Sequence, residues 1–147
     1  MVQYVSGDLI ELAKGGEFDV ILHGCNCHCT WGAGIAKYMR YAFPEAYRAD
    51  ANTRRGDENK LGKYSSHHYP NGLTVVNCYT QYGWNAIKKS VDYTAVEKVF
   101  ERVAINFKGK KIGLPKIGAG LGGGDWNIIE GLLNKHLPNA VVVEYIK

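Results

Sequence analysis

The sequence predicts a layered α/β domain with a mixed central sheet. Segments of strand character alternate with amphipathic helical segments, which favours parallel central strands joined by crossover helices. The apolar run Val20-Ile21-Leu22 is typical of a strand covered on both faces. Two further strands, at residues 64–69 and 73–79, flank Pro70-Asn71-Gly72, whose Asn-Gly pair indicates a hairpin turn. That hairpin adds an antiparallel pair to the sheet.

A helix-capping residue and a glycine pair predict the first secondary-structure elements. A short strand at residues 4–5 precedes Asp8, whose side chain suits the N-cap of a helix over residues 9–14. Gly15-Gly16 ends that helix, and an apolar strand at residues 18–25 follows.

The later elements follow from proline position and helical spacing. Pro44 favours the start of a helix, and Val96, Val99 and Phe100 lie at the spacing of one helical face. The sequence therefore predicts helices at residues 35–43, 45–53, 93–107 and 127–137, and strands at residues 112–115 and 140–146.

Length and composition are those of one globular domain, expected over residues 1–147. Hydrophobic residues make up 46% and charged residues 22%, which is unlike a disordered or membrane-spanning chain. The N-terminus lacks the basic start and apolar run of a signal peptide, so we expect a cytoplasmic protein with no membrane partner. The net charge of +4 is modest and the basic residues do not cluster, which leaves nucleic-acid binding as a minority alternative.

The four cysteines are expected to be thiols, as is usual in the cytoplasm. Cys25, Cys27 and Cys29 alternate beside His23 and His28, which allows a metal site in principle. Zinc sites usually need two well-spaced ligand pairs, however, and free cysteines are commonly small buried apolar residues. We therefore expect no metal.

Two glycine-bearing junctions carry the functional signal. Residues 114–126 join a strand to a helix, and glycines there let backbone N–H groups approach a phosphate, with the helix N-terminus aimed at the same place. Residues 26–36 form a second such junction, and both lie at the carboxyl ends of strands, where α/β sheets bind ligands. Two junctions suggest a ligand with more than one phosphate or sugar. Gly118-x-Gly120-x-x-Gly123 matches a dinucleotide fingerprint formally, but its place before the last helix argues against a nicotinamide cofactor.

Three ordered motifs give the chain a family resemblance. Gly7-Asp8-Leu9, Asn26 with Gly32-Ala33-Gly34-Ile35-Ala36, and Pro115-x-Ile117-Gly118-x-Gly120 together resemble the macro domain, a three-layer α/β/α fold with a mixed central sheet that binds ADP-ribose. The segment at residues 23–36 is most similar to the yeast ADP-ribose 1″-phosphate phosphatase branch, as are Phe43-Pro44-Glu45-Ala46 and Leu61-Gly62-Lys63.

The resemblance implies a set of ligand contacts. Asp8 would accept a hydrogen bond from the adenine amino group, Leu9 would add a backbone contact, and Tyr145 would stack on adenine. Residues implied around the distal ribose are Asn26, Gly32, Ala33, Gly34 and Ile35, and those implied at the diphosphate are Ile117, Gly118, Ala119, Gly120, Leu121, Gly122 and Gly123. Simpler roles remain open, because Asp8 can be only a helix cap, Asn26 only a turn residue and Tyr145 only a sheet aromatic.

The catalytic prediction depends on which catalytic residues of the family are absent from this chain and which candidates are present. Hydrolases of the family that remove ADP-ribose from proteins carry an aspartate where this chain has Ala36, or a lysine and an aspartate where it has Thr80 or Gln81 and Gly122. The resemblance places His23 in the catalytic segment of the phosphatase branch, which implies that His23 is the proton-transfer group, with Asn26 as its partner in catalysis and His28 nearby. A buried structural role for His23 is the alternative.

The sequence thus predicts hydrolysis of ADP-ribose 1″-phosphate to ADP-ribose and phosphate, without a cofactor. Removal of ADP-ribose from modified macromolecules and non-catalytic reading of ADP-ribose are the alternatives. The partners predicted are ADP-ribose, ADP-ribose 1″-phosphate and, under either alternative, ADP-ribosylated macromolecules.

Overall fold

A six-stranded mixed sheet forms the middle layer of the computed structural model, which describes residues 1–83, 91–120 and 122–145. The strands in chain order are β1 (Gln3–Gly7), β2 (Val20–Cys25), β3 (Tyr64–His68), β4 (Thr74–Tyr79), β5 (Ile112–Leu114) and β6 (Val141–Tyr145). Their order in the sheet is β1-β6-β5-β2-β4-β3. Every neighbouring pair is parallel except β3 with β4, the predicted hairpin.

Helices cover both faces of this sheet. They are α1 (Leu9–Lys14), α2 (Gly34–Ala42), α3 (Pro44–Ala51), α4 (Tyr93–Asn106) and α5 (Trp126–His136), with a short 3₁₀ helix at Glu58–Lys60. One core cluster joins the sheet to α4 and α5 through residues such as Phe100 and Leu133. A second cluster joins its other face to α1, α2 and α3 through residues such as Leu9, Met39 and Ala46. The predicted three-layer α/β/α architecture is confirmed.

Local sequence signals explain why these helices begin where they do. Asp8, Asp92 and Asp125 each accept backbone hydrogen bonds at the N-terminus of the helix that follows, which satisfies donors that would otherwise lack a partner. Pro44 is the first residue of α3, as predicted. Within the described ranges, no helix has the length and apolarity of a membrane crossing.

The parallel arrangement brings the functional loops to one edge. Because β1, β6, β5, β2 and β4 run in the same direction, the loops that leave their carboxyl ends meet at the same side of the sheet. Gly7 at the end of β1 pairs with Tyr145 at the end of β6, so the first motif and the last aromatic are neighbours. The loops after β2 and β5 lie beside them, since β5 lies between β6 and β2.

Candidate ligand-binding groove

Two adjacent cavities lie along this edge, and together they are called the groove. The first cavity, of about 600 Å³, lies between the loops after β2 and β5. The second cavity, of about 950 Å³, lies between the ends of β1 and β6 and the helices α1 and α2. Both cavities share Gly34, Ile35, Pro115 and Lys116 in their walls. A single elongated ligand can therefore occupy both.

Most residues predicted at the distal ribose and diphosphate line the first cavity. Those found on its wall are Asn26, Gly32, Ala33, Gly34, Ile35, Ile117, Gly118, Gly120 and Gly122. Ala119 and Gly123 lie in the same loop but off the wall, and Leu121 lies outside the described residues.

Two glycines of the loop after β5 serve different purposes. Gly118 has φ +77°, and a Cβ there would stand 2.8 Å from Val91 Cγ2, so both backbone conformation and packing require glycine. Gly120 has no such constraint, since no described atom outside its chain neighbours lies within 4 Å of the place a Cβ would take. Gly120 therefore keeps the cavity wall bare rather than keeping the fold intact.

The helix after this loop does not contribute its N-terminus to the groove. The Asp125 carboxylate accepts a hydrogen bond from the backbone N–H of Asn127 at 2.9 Å, which places a negative charge at the start of α5. None of the residues of α5, all of which are described, lines either cavity. Neither cavity wall therefore includes the helix N-terminus that was predicted to face the phosphate.

The Asn26 side chain is occupied by the loop that it begins. Its Nδ2 donates to Thr30 O at 3.0 Å and to Thr30 Oγ1 at 2.7 Å, and its Oδ1 accepts from the backbone N–H of His28 at 2.8 Å. The side chain thus fulfils the turn role that the sequence left open, while Asn26 still lies on the cavity wall. It fixes the loop that forms this end of the groove.

The second cavity contains the predicted adenine residues. Asp8, Leu9 and Tyr145 all line it, and Tyr145 is 70% exposed. Asp8 caps α1 by accepting from the backbone N–H groups of Ile10 at 2.9 Å and Glu11 at 3.2 Å, both at Oδ1. Both cap bonds end on Oδ1, so capping is compatible with a ligand contact through Oδ2.

His23 lies in the core, behind the wall of the first cavity. The side chain is fully buried, its Nε2 is 2.7 Å from Asn77 Oδ1, and its ring packs edge-on against Trp31 at 4.7 Å. Burial lowers the pKa of His23 to about 4. His23 lines neither cavity, and a catalytic residue must touch the substrate. Its position corresponds to the structural alternative and does not support the catalytic role predicted from sequence.

A buried polar network behind the first cavity was not predicted from the sequence. Asp50 is fully buried and accepts hydrogen bonds from Trp31 Nε1 at 2.7 Å and from the Tyr79 hydroxyl at 2.6 Å. Lys60 Nζ lies 4.0 Å from Asp50 Oδ1 and donates to Cys27 O at 3.1 Å. Burial and the bond to Asp50 raise the pKa of Tyr79. Because Trp31 lines the first cavity, this network fixes part of the cavity wall.

The cysteines behave as buried thiols. Cys25 lines the first cavity, but burial raises its pKa well above the ordinary value, and burial raises the pKa of Cys27 to about 11. Cys29 donates its thiol to Asp50 O at 3.3 Å. In the part of the chain that the structure describes, histidine, cysteine, aspartate and glutamate side chains form no group suited to a metal ion.

The structure locates the residues that stand where other hydrolases of the family are expected to carry catalytic groups. Ala36, Gln81 and Gly122 line the first cavity, whereas Thr80 is fully buried and off the wall. Gln81 Nε2 donates to Gly83 O at 2.8 Å. Counting described residues only, the wall of this cavity carries no carboxylate and no imidazole, and its ionisable groups are those of Cys25 and Lys116. The arrangement offers glycine backbone, hydroxyl and amide groups to a ligand rather than a base.

Comparison with known proteins agrees with this architecture. A scan of family models finds no match. The chain is 30% identical to the ADP-ribose 1″-phosphate phosphatase of Candida albicans over 92% of this chain and 93% of that protein. A macrodomain protein from Streptomyces coelicolor superposes with a TM-score of 0.65 at 26% identity, covering 100% of this chain and 99% of the other. The chain therefore belongs to the macro-domain family. An uncharacterized 17.5 kDa protein of Enterobacteria phage T4 is 33% identical over 97% of this chain and 94% of its own length.

Proposed function

We propose that the groove binds ADP-ribose in an extended conformation. The observation that carries this proposal is that the two cavities adjoin at four shared wall residues, Gly34, Ile35, Pro115 and Lys116. Adenosine would occupy the second cavity and the distal ribose the first, so the diphosphate would cross the junction beside the glycine loop. The named relative from Candida albicans acts on a phosphorylated form of the same ligand, which supports the choice.

The chemistry of each cavity suits its part of the ligand. An exposed Tyr145 ring offers a face to adenine, and Asp8 Oδ2 can accept from the adenine amino group. At the other end, Gly118 and Gly120 bring bare backbone to the wall, which lets N–H groups reach phosphate oxygens closely. Shape and backbone contacts would therefore provide most of the recognition.

The test is a pair of glycine substitutions. Gly120→Val introduces a branched side chain into space bordering the first cavity, and its backbone φ is compatible with an L-residue. Displacing the ligand should weaken ADP-ribose binding by about 1 to 3 kcal/mol, the usual range for overpacking. Gly131→Val is the matched control, since Gly131 also has no described atom within 4 Å of its Cβ position and lies in α5 off both walls. Calorimetric affinity equal to wild type in folded Gly120→Val would contradict the placement.

We also propose that the protein hydrolyses ADP-ribose 1″-phosphate. A water oxygen would bond to phosphorus, the bond from phosphorus to the 1″ oxygen would break, and the proton from water would pass to that leaving oxygen. Since the described wall of the first cavity offers neither carboxylate nor imidazole, a phosphate oxygen of the substrate would carry the proton between the two oxygens. Asn26 would act by fixing the loop around the distal ribose, and glycine N–H groups would stabilise the developing charge.

A non-catalytic reader is the second candidate, and the same missing base favours it. Removal of ADP-ribose from protein is less well supported, because Ala36 and Gly122 line the first cavity where those hydrolases use carboxylates. One assay separates the three. Wild type and Gly120→Val are incubated with ADP-ribose 1″-phosphate and, separately, with ADP-ribosylated protein, while phosphate and ADP-ribose release are followed. Phosphate release by wild type alone supports the phosphatase; binding without release of either product supports the reader.

A further inference from the structure

Lys116 occupies the junction of the two cavities and is paired there with an acid. It lines both cavities, and its Nζ lies 3.2 Å from Oε2 of Glu144, which lines the second. The two side chains are 43% and 46% exposed, so the pair is accessible to solvent and to a ligand.

The charges around this pair are unbalanced. Among the described wall residues of both cavities, Lys116 is the one cation, whereas Asp8, Glu11 and Glu144 are anions on the wall of the second cavity. A diphosphate placed at the junction would therefore meet a local excess of negative charge. The lysine ammonium is the group on these walls that can offset that repulsion by direct contact.

The existing pair is a weak competitor for a phosphate. A solvent-exposed lysine–glutamate pair contributes little to stability, because water screens it and two flexible side chains must be ordered. A diphosphate, with one negative charge on each of its two phosphates, attracts the same ammonium more strongly than one carboxylate does. Exchange of Glu144 for a phosphate oxygen is thus favourable once the ligand is bound.

We propose that Lys116 is a phosphate-binding residue that Glu144 holds in the free protein and releases when a diphosphate enters the junction. The inference rests on the proposed binding of ADP-ribose and adds to it the residue that selects for the diphosphate. Glu144 acts in the opposite sense, since its charge opposes the ligand and its contact must be broken. The lysine then adds a movable cation to the backbone N–H groups that distinguish a nucleoside diphosphate ligand from a bare nucleoside.

The experiment compares adenosine with ADP-ribose in charge-removing variants. Lys116→Met keeps the length and apolar stem of the side chain, and we expect ADP-ribose affinity to fall about tenfold or more while adenosine affinity stays within twofold. Lys116→Arg should restore most of the ADP-ribose affinity. Glu144→Gln should raise ADP-ribose affinity about two- to fivefold, because it frees the lysine and removes an opposing charge.

The salt dependence of ADP-ribose binding is a second measurement. A purely structural role of Lys116 would not change it. Added salt should weaken ADP-ribose binding by wild type, and this dependence should flatten in Lys116→Met. Lys111→Met is the matched control, because Lys111 forms a comparable exposed pair with Glu17 at 3.8 Å and lies on neither cavity wall.

The outcomes separate this inference from the function on which it rests. Wild-type protein that binds ADP-ribose, with Lys116→Met equal to it in affinity and salt dependence, overturns the role of Lys116 alone. Equal loss of adenosine and ADP-ribose binding in Lys116→Met, accompanied by lower thermal stability, also overturns it, because the pair is then structural. Wild-type protein that binds neither ligand overturns the proposed function together with the inference.

Discussion

Because His23 is buried, we predict that the free energy of unfolding falls in mild acid. Burial lowers its pKa from 6.5 to about 4, while the same side chain in the unfolded chain keeps its ordinary value. The unfolded chain therefore binds an extra proton between these two pH values, and the free energy of unfolding falls as pH falls through that window. At 1.36 kcal/mol for each pH unit, the loss approaches about 3 kcal/mol by pH 4.

Burial disfavours the charged form of His23, whereas its hydrogen bond with Asn77 and the charge of Asp50 act in the opposite direction. Asn77 Nδ2 donates to Ala46 O at 2.9 Å, which orients the amide so that its Oδ1 faces His23 Nε2. The neutral ring donates from Nε2, and a second proton would have to go on Nδ1. That atom lies 3.8 Å from Cys25 Sγ in a fully buried site, where no water can stabilise the new charge.

Urea unfolding of wild type and His23→Gln at pH 7, 6, 5 and 4 measures the effect. Glutamine can donate to Asn77 but does not titrate, so the difference between the two pH profiles isolates the histidine. Acid effects of Glu45 and Glu97, whose pKa values are lowered by hydrogen bonds, are common to both proteins. The reasoning is refuted if the two profiles run parallel or if the His23 ring titrates near 6.5 by NMR. A ring that titrates near 6.5 reaches solvent, and the catalytic role would regain support.

Three further substitutions test the groove and its support. Asp8→Ala should weaken ADP-ribose binding by about 1.5 to 3 kcal/mol, whereas Asp125→Ala, which removes a helix cap outside the groove, should leave calorimetric affinity unchanged. Asp50→Ala should lower the urea-derived stability by about 3 to 5 kcal/mol, because it leaves Lys60 and the Trp31 indole without their buried acceptor; a cost below 1 kcal/mol would contradict the network. Gly118→Ala should lower thermal stability through its positive φ and the contact with Val91, and an unchanged melting temperature would count against that strain.

The elements that could be predicted from sequence are those encoded locally. Helix α4 is predicted at residues 93–107 and found at Tyr93–Asn106, because its apolar spacing is a signal contained within the helix itself. The hairpin is found for the same reason, since its turn sequence stands between two strand-like runs. Loop glycines were also recognisable, because the need for bare backbone leaves a visible pattern.

The features that escaped prediction depend on contacts between distant segments. Asp50 is a charged residue in a helix, which reads as solvent-exposed until α3 packs its side chain against Trp31 and Tyr79. The burial of His23 was only an alternative at the level of sequence, because its partner Asn77 lies on the neighbouring strand, 54 residues away. Lys116 stands inside a recognised motif, but its pairing with Glu144 requires β5 and β6 to be neighbours. No sequence window contains these partners together.

The pH dependence of any phosphatase activity tests whether a group of the protein takes part in proton transfer. Cys25 stays a thiol because burial raises its pKa, and the described wall has no carboxylate or imidazole to titrate near neutrality. The group that changes charge in this range is then the phosphate of the substrate, whose second pKa is about 6. If that phosphate carries the proton from water, the turnover rate should follow a single ionisation of the bound substrate near this value and have no further limb between pH 7 and 8.5. A second limb near pH 7 to 8 in wild type, lost in one histidine variant, would show that a protein group takes part in proton transfer and would refute a mechanism based on orientation alone.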